Sequence, residues 1–162
     1  MFPSRFCKSR VRERRLAELH DRVAIVTGAA SGIGAATLAL LAARGATVIG
    51  FYVVALGETM LAVDAAVDAA IDCNVVEVIA RHVRVDILMN CAGIGRRGKI
   101  TDITHEKWDE VMRVNLRGSF AMCRAVLLGM IARGSDAIVS IGSTFGLLAR
   151  DGAAAYASAR RR

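Results

Sequence analysis

An apolar run that enters a glycine-rich turn, with a helical segment leaving it, constrains this chain more than any other feature. Val23, Ala24, Ile25 and Val26 have the unbroken hydrophobicity of a short strand covered on both faces. The segment Thr27-Gly-Ala-Ala-Ser-Gly-Ile-Gly34 follows. Strong helix formers then occupy residues 35–44, and Arg44-Gly45 closes the helix with a basic last turn and a glycine. The glycines therefore fall on a strand-to-helix junction. Gly28 is expected to turn the backbone out of the strand, Gly32 to clear side chains from where phosphates approach, and Gly34 to let the helix pack close to the sheet. The first helical turn then presents unpaired N–H groups and the positive end of its dipole to an anion. The spacing is Gly-x-x-x-Gly-x-Gly rather than the general Gly-x-Gly-x-x-Gly. The surrounding strand and helix are nevertheless those that a dinucleotide pyrophosphate site requires.

The 162 residues suit one domain with a sizeable core, and 54% hydrophobic residues with a mean hydropathy of +0.42 exclude a disordered chain. No apolar run in the sequence approaches the length that crosses a bilayer, so no membrane partner is expected. The net charge of +7 sits at the ends: residues 1–15 carry +5 and Arg160, Arg161 and Arg162 add +3, leaving −1 on the body. A basic stripe on the folded surface does not follow, and no nucleic-acid partner is expected. Cys7, Cys73, Cys91 and Cys123 are widely spaced, with no Cys-x-x-Cys pair and no clustered His, so no metal site is expected. Without a secretory apolar region they read as free thiols of a cytoplasmic protein.

Residues 1–20 are basic, hold the sole proline and are set apart as an N-terminal arm; residues 21–162 form the domain. The second strand is expected at residues 46–54, with Tyr52 where a carboxylate would bind the ribose 2′-OH of NAD or an arginine the 2′-phosphate of NADP. Tyrosine does neither, and no basic residue follows before Arg81, which leans toward NAD. Residues 56–66 are too short a stretch for a full crossover helix. A third strand is expected at residues 67–71, ending at Asp72, then a helix at 74–83 capped by Asn74. The fourth strand spans 85–89 and leads into Asn90-Cys-Ala-Gly93. A long helix starts at Thr101 or Thr104 and runs to about Arg133, and the fifth strand spans 137–141. Strands alternating with helices at this interval specify an α/β fold: a Rossmann-like, doubly wound parallel sheet of about five strands, with its site at the strands' carboxyl ends.

Taken together, six segments resemble the classical short-chain dehydrogenases/reductases over residues 20–160. They are Thr27–Gly34, Asp72, Asn90–Gly93, Asn115 in Val-Asn-Leu-Arg-Gly-Ser-Phe, Ser143, and Tyr156-Ala-Ser-Ala-Arg160. The resemblance implies an NAD(P)-dependent oxidoreductase that moves a hydride between nicotinamide and an alcohol or carbonyl. It places the cofactor on Gly28, Ser31, Gly32, Ile33, Gly34 and Tyr52, sets Asp72 toward the adenine, and lines the adenosine side with Asn90, Ala92 and Gly93. Cys91 stands where the family usually has a second Asn. The resemblance also implies that Tyr156 exchanges the proton, Ser143 holds the substrate oxygen and Asn115 positions a water.

Two departures qualify that implication. The family's Tyr-x-x-x-Lys is here Tyr156-x-x-x-Arg160, and arginine is bulkier and planar, so it does not replace lysine atom for atom. The chain also ends soon after, which reads as C-terminal truncation: the family's later strands, helices and substrate loop are lacking, leaving bare surfaces suited to homo-oligomerisation. The alternative reading is a non-catalytic nucleotide-binding or interaction module derived from such an enzyme.

Overall fold

The computed structural model describes residues 19–57, 59–134, 136–148 and 150–161. Five parallel strands lie in the order β3-β2-β1-β4-β5. They are β1 (Val23–Thr27), β2 (Thr47–Tyr52), β3 (Met60–Ala62), β4 (Ile87–Asn90) and β5 (Ala137–Ser140). Helix α1 (Gly32–Ala43) connects β1 to β2, and α2 (Asp68–His82) connects β3 to β4. After β4 come α3 (His105–Met112), a π-turn segment (Arg113–Arg117) and α4 (Gly118–Arg133), and α5 (Ala154–Arg160) follows β5. The strand order reverses between β1 and β4, which opens a crevice at their carboxyl ends.

The central strand β1 is buried throughout, as its unbroken hydrophobicity requires. Val23 and Ile25 pack with Ile71, Val75, Val78, Met122 and Val126 of α2 and α4 on one face. Ala24 and Val26 meet Val48 and, from α1, Leu38 and Leu41 on the other. A third cluster joins Val111 and Trp108 of α3 to Ala155 and Ala159 of α5. That cluster fixes the Tyr156-bearing helix against the segment after β4.

At the amino ends of the strands, buried Asp86 works as a clamp. Its carboxylate accepts from Val23 N–H at 2.8 Å and Arg84 Nε at 2.6 Å, while Ala137 N–H donates to its backbone carbonyl. Burial pushes this carboxyl up, but the Val23 N–H and the Arg84 and Arg22 guanidiniums outweigh it and leave it below the usual carboxylate range.

The third strand is not where the sequence pattern put it. Residues 68–71 begin α2, because Ile71, Val75 and Val78 are buried at helical spacing and belong to one face. The strand is Met60–Ala62, paired with β2 in the register Gly50 to Met60 and Tyr52 to Ala62. Only residues 53–59 join β2 to β3, fewer than a helical crossover takes. Asn74 is mid-helix instead of a cap, and its Nδ2 donates back to Ala70 O at 2.8 Å. Of the two threonines before the long helix, Thr104 is the cap, its Oγ1 accepting from Lys107 N–H.

Two further expectations change. Most of the basic arm lies outside the described residues, but Leu19 and His20 belong to the fold. Leu19 N–H bonds Arg44 O at 2.8 Å, and the His20 ring lies against Gly45. The continuous helical span His105–Arg133 is, by length and composition, long and apolar enough to cross a membrane, contrary to the reading of the sequence. Its Ala121, Met122, Val126 and Met130 are buried in the domain core.

Candidate functional site

A cavity of about 380 Å³ lies at the carboxyl ends of β1 to β4. Its walls come from the glycine turn, from Phe51, Tyr52 and Val53 at the end of β2, from Val63, Asp64 and Ala65 after β3, and from Cys91 to Ile94 after β4.

The turn has the conformations that its glycines were expected to supply. Gly28 sits at φ +67°, and a Cβ there would lie 2.9 Å from Ala92 Cα. A Cβ on Gly34 would lie 2.2 Å from Gly28 O. The close approach at Gly34 is thus between the first helical turn and the turn preceding it, where the sequence suggested helix against sheet. At Gly32 a Cβ would meet nothing within 4 Å, so the space in front of it is open. Ser31 is the extended N-cap of α1 and makes no side-chain capping bond. The first-turn amides of α1, including Ile33, thereby keep their donors for a ligand. A doubly charged pyrophosphate fits such a cradle through these N–H groups and the helix dipole.

Thr27 holds the two sides of the crevice together. Its Oγ1 accepts from Cys91 N–H at 3.1 Å and Ala92 N–H at 3.0 Å, tying the end of β1 to the segment after β4. Sequence reasoning gave this threonine no role of its own; its place as the last residue of a buried strand was the available signal. Asn90 is buried, with Nδ2 donating to Ser140 Oγ at 3.2 Å, so it links β4 to β5 and is not itself a lining residue of the cavity. Burial pushes the Cys91 thiol up against the opposing influence of Thr37 and Arg160.

Asp72 does not reach the cavity. It lies within α2 and pairs with Arg124 Nη2 at 2.8 Å on the surface. The acid at the end of the third strand is Asp64, which lines the cavity and accepts from Ala66 N–H at 2.8 Å in a local turn. Misplacing β3 by several residues moved the acid with it. The apolar run Met60-Leu-Ala-Val ending in an acid was the signal that would have found it.

Asn115 is buried in the π-turn segment, a distortion common at functional positions. Its Oδ1 accepts from Ile94 N–H at 2.8 Å and its Nδ2 donates to Ile94 O at 2.9 Å. The amide thus splints the loop after β4. Ser143 caps a short 3₁₀ turn, accepting from Phe145 N–H at 3.2 Å. It lines a second cavity of about 320 Å³ with Gly142, Thr144, Leu147 and Arg160. The Tyr156 ring stands edge-on to Phe145, centroids 6.3 Å apart.

Arg160 is buried at the carboxyl end of α5. It is 8% exposed. Its Nη1 donates to Ile141 O and its Nη2 to Ala92 O, each at 2.8 Å, and its Cζ lies 5.9 Å from the Tyr156 ring centroid. The fold therefore brings Tyr156 to Arg160, and Ser143 to the same small cavity as Arg160, a cavity that shares no lining residue with the one at the glycine turn.

Comparison with known proteins follows the same lines. Residues 22–161 match the family model described as short chain dehydrogenase. A D-threitol dehydrogenase of Mycolicibacterium smegmatis is 35% identical over 156 residues, covering 88% of this chain and 60% of that protein. An NAD-dependent glycerol dehydrogenase of Listeria innocua is 36% identical over 156 residues, covering 86% of this chain and 59% of that protein. A metagenomic short-chain oxidoreductase solved in complex with NADP superposes with a TM-score of 0.84 at 31% identity, covering 89% of this chain and 72% of that one. The chain spans about 60% of the length of the curated relatives it matches.

Proposed function

This chain belongs to the short-chain dehydrogenases, and from that premise we propose that it serves NAD(P)-dependent interconversion of an alcohol and a carbonyl compound. The observation that carries the reading is the cradle at Gly28, Gly32 and Gly34, open in front of Gly32 and followed by uncapped helical amides. A bound nicotinamide dinucleotide supplies the hydride chemistry. The amides of residues 32–34 bind its pyrophosphate, and Tyr52 and Asp64 flank the adenosine side. Thr27 and Asn115 hold the loop after β4 in place.

In this reading the Tyr156 hydroxyl exchanges a proton with the substrate oxygen and Ser143 orients that oxygen. Of the two cofactors NAD is favoured: among the described residues, no cation lines the cavity near Tyr52 to neutralise a 2′-phosphate. Turnover of a panel of alcohols and ketones with NAD, abolished by Tyr156→Phe, is the expected result. Absence of NAD binding by calorimetry would overturn the reading.

A second reading, nucleotide binding without turnover, is favoured by one observation. The Arg160 guanidinium beside Tyr156 is committed to two backbone carbonyls. Binding of NAD with no turnover of any substrate in the panel would support it.

A further inference from the structure

We infer that Arg160, held on two backbone carbonyls, lends the second nucleotide little hold, so that the cleft takes an adenosine diphosphate about as tightly as a whole nicotinamide dinucleotide. This rests on the reading of the cleft as a dinucleotide site and assigns its reach. The cavity at the glycine turn and the cavity at Ser143 share no lining residue. Ala92 and Gly93 line the first, Arg160 lines the second, and its guanidinium packs against those two residues. Arg160 Nη2 bonds Ala92 O at 2.8 Å, and a Cβ on Gly93 would lie 2.0 Å from that same nitrogen. Gly93 is therefore the one residue type that leaves the guanidinium room.

A dinucleotide consists of two nucleotides joined through their phosphates. From the pyrophosphate cradle the first lies toward Tyr52 and Asp64, where the lining residues continue. The second has to pass Gly93 toward Ser143 and Tyr156, where the ribose hydroxyls need hydrogen-bonding partners. Among the described residues the cation in that direction is Arg160, and both its terminal nitrogens are held by Ile141 O and Ala92 O. A planar fork that bridges two carbonyls loses both charge-assisted bonds if it turns toward a ligand. The Arg160 Nε is buried without a partner, so the side chain is confined there even at the expense of one donor. The second nucleotide thus gains little from contacts beyond Gly93, and affinity resides in the adenosine diphosphate half.

Calorimetric titration of the chain with ADP and with NAD tests this. Dissociation constants within threefold of each other are expected, and NAD binding threefold or more tighter than ADP overturns the inference while leaving the cleft assignment standing. Failure to bind either ligand overturns the cleft assignment and the inference together. Arg160→Lys cannot bridge both carbonyls with its single ammonium, and a folded variant is expected to prefer NAD over ADP by tenfold or more. An unchanged ratio in that variant removes Arg160 as the cause. Should R160K fail to fold, the ratio in the unaltered chain decides.

Discussion

Thr27, the last residue of β1, and Ala92, two residues beyond the adjacent strand β4, are joined by a hydrogen bond of 3.0 Å from the Ala92 N–H to the Thr27 hydroxyl oxygen. The hydroxyl stands where the β1–β4 ladder has ended and supplies the acceptor that the ladder no longer provides. Cys91 N–H shares it but also reaches Met89 O at 3.1 Å, so Ala92 depends on Thr27 more heavily. Thr27→Val keeps the shape and removes the acceptor. It should lower stability by about 1–3 kcal/mol, read from the urea midpoint, whereas Thr27→Ser should stay within about 1 kcal/mol. Equal midpoints for T27V and the parent chain would remove this bond from the account.

Gly34 and Gly32 should respond differently to alanine. At Gly34 the new methyl meets the Gly28 carbonyl at 2.2 Å, a backbone atom that can yield only by moving the turn. The expected outcome is about 1–3 kcal/mol of destabilisation and loss of NAD binding in calorimetry. At Gly32 the methyl meets no atom within 4 Å, but φ is +51°, so strain of about 1–2 kcal/mol is the main effect. G34A binding NAD as tightly as G32A would contradict the cradle geometry.

Asp86 should make the fold acid-sensitive. Because its folded pKa is lowered, its contribution is fully present above the unfolded value near ~3.9 and is lost as pH falls through the folded value. Asp86→Asn should lower the urea midpoint at pH 7, by an amount corresponding to about 1–3 kcal/mol. The gap between D86N and the parent should then shrink as pH drops below the ordinary carboxylate range. A gap that stays constant across that interval would place the stabilisation elsewhere.

Val83 ends α2 in the left-handed region, φ +69°, and the residue is 83% exposed. A β-branched residue is strained there and packs against little. Val83→Gly should raise stability by about 0.5–1 kcal/mol, relief of strain exceeding the greater flexibility of glycine in the unfolded chain. Thermal unfolding measures it, and a melting temperature below the parent's would show that the Val83 side chain supports α2 in some other way.

Much of the architecture was legible because its signals are local. The unbroken apolar strand β1, the glycines at the strand-to-helix junction and the long helix after Thr104 each express a backbone preference or a hydrophobic period within a few residues. The third strand was misread because Met60–Ala62 is short and sits among apolar residues whose pairing with β2 is long-range. Residues 67–71 carried an equally apolar pattern that α2 absorbed into its buried face. That shift moved the candidate acid from Asp72 to Asp64 and put Asp72 on the surface with Arg124.

By itself the sequence determined the glycine turn, the alternation of strands and helices, and the residue types available for proton transfer, because backbone conformation and burial period are encoded between near neighbours. Only the tertiary structure decided the strand order, the Thr27 tie across β1 and β4, and the confinement of Arg160 between Ala92 O and Ile141 O. Those depend on which carbonyls, hydroxyls and charges distant segments bring within hydrogen-bonding distance. Such distances are properties of the packed layers, and they determine whether a guanidinium faces a ligand or is held by backbone carbonyls.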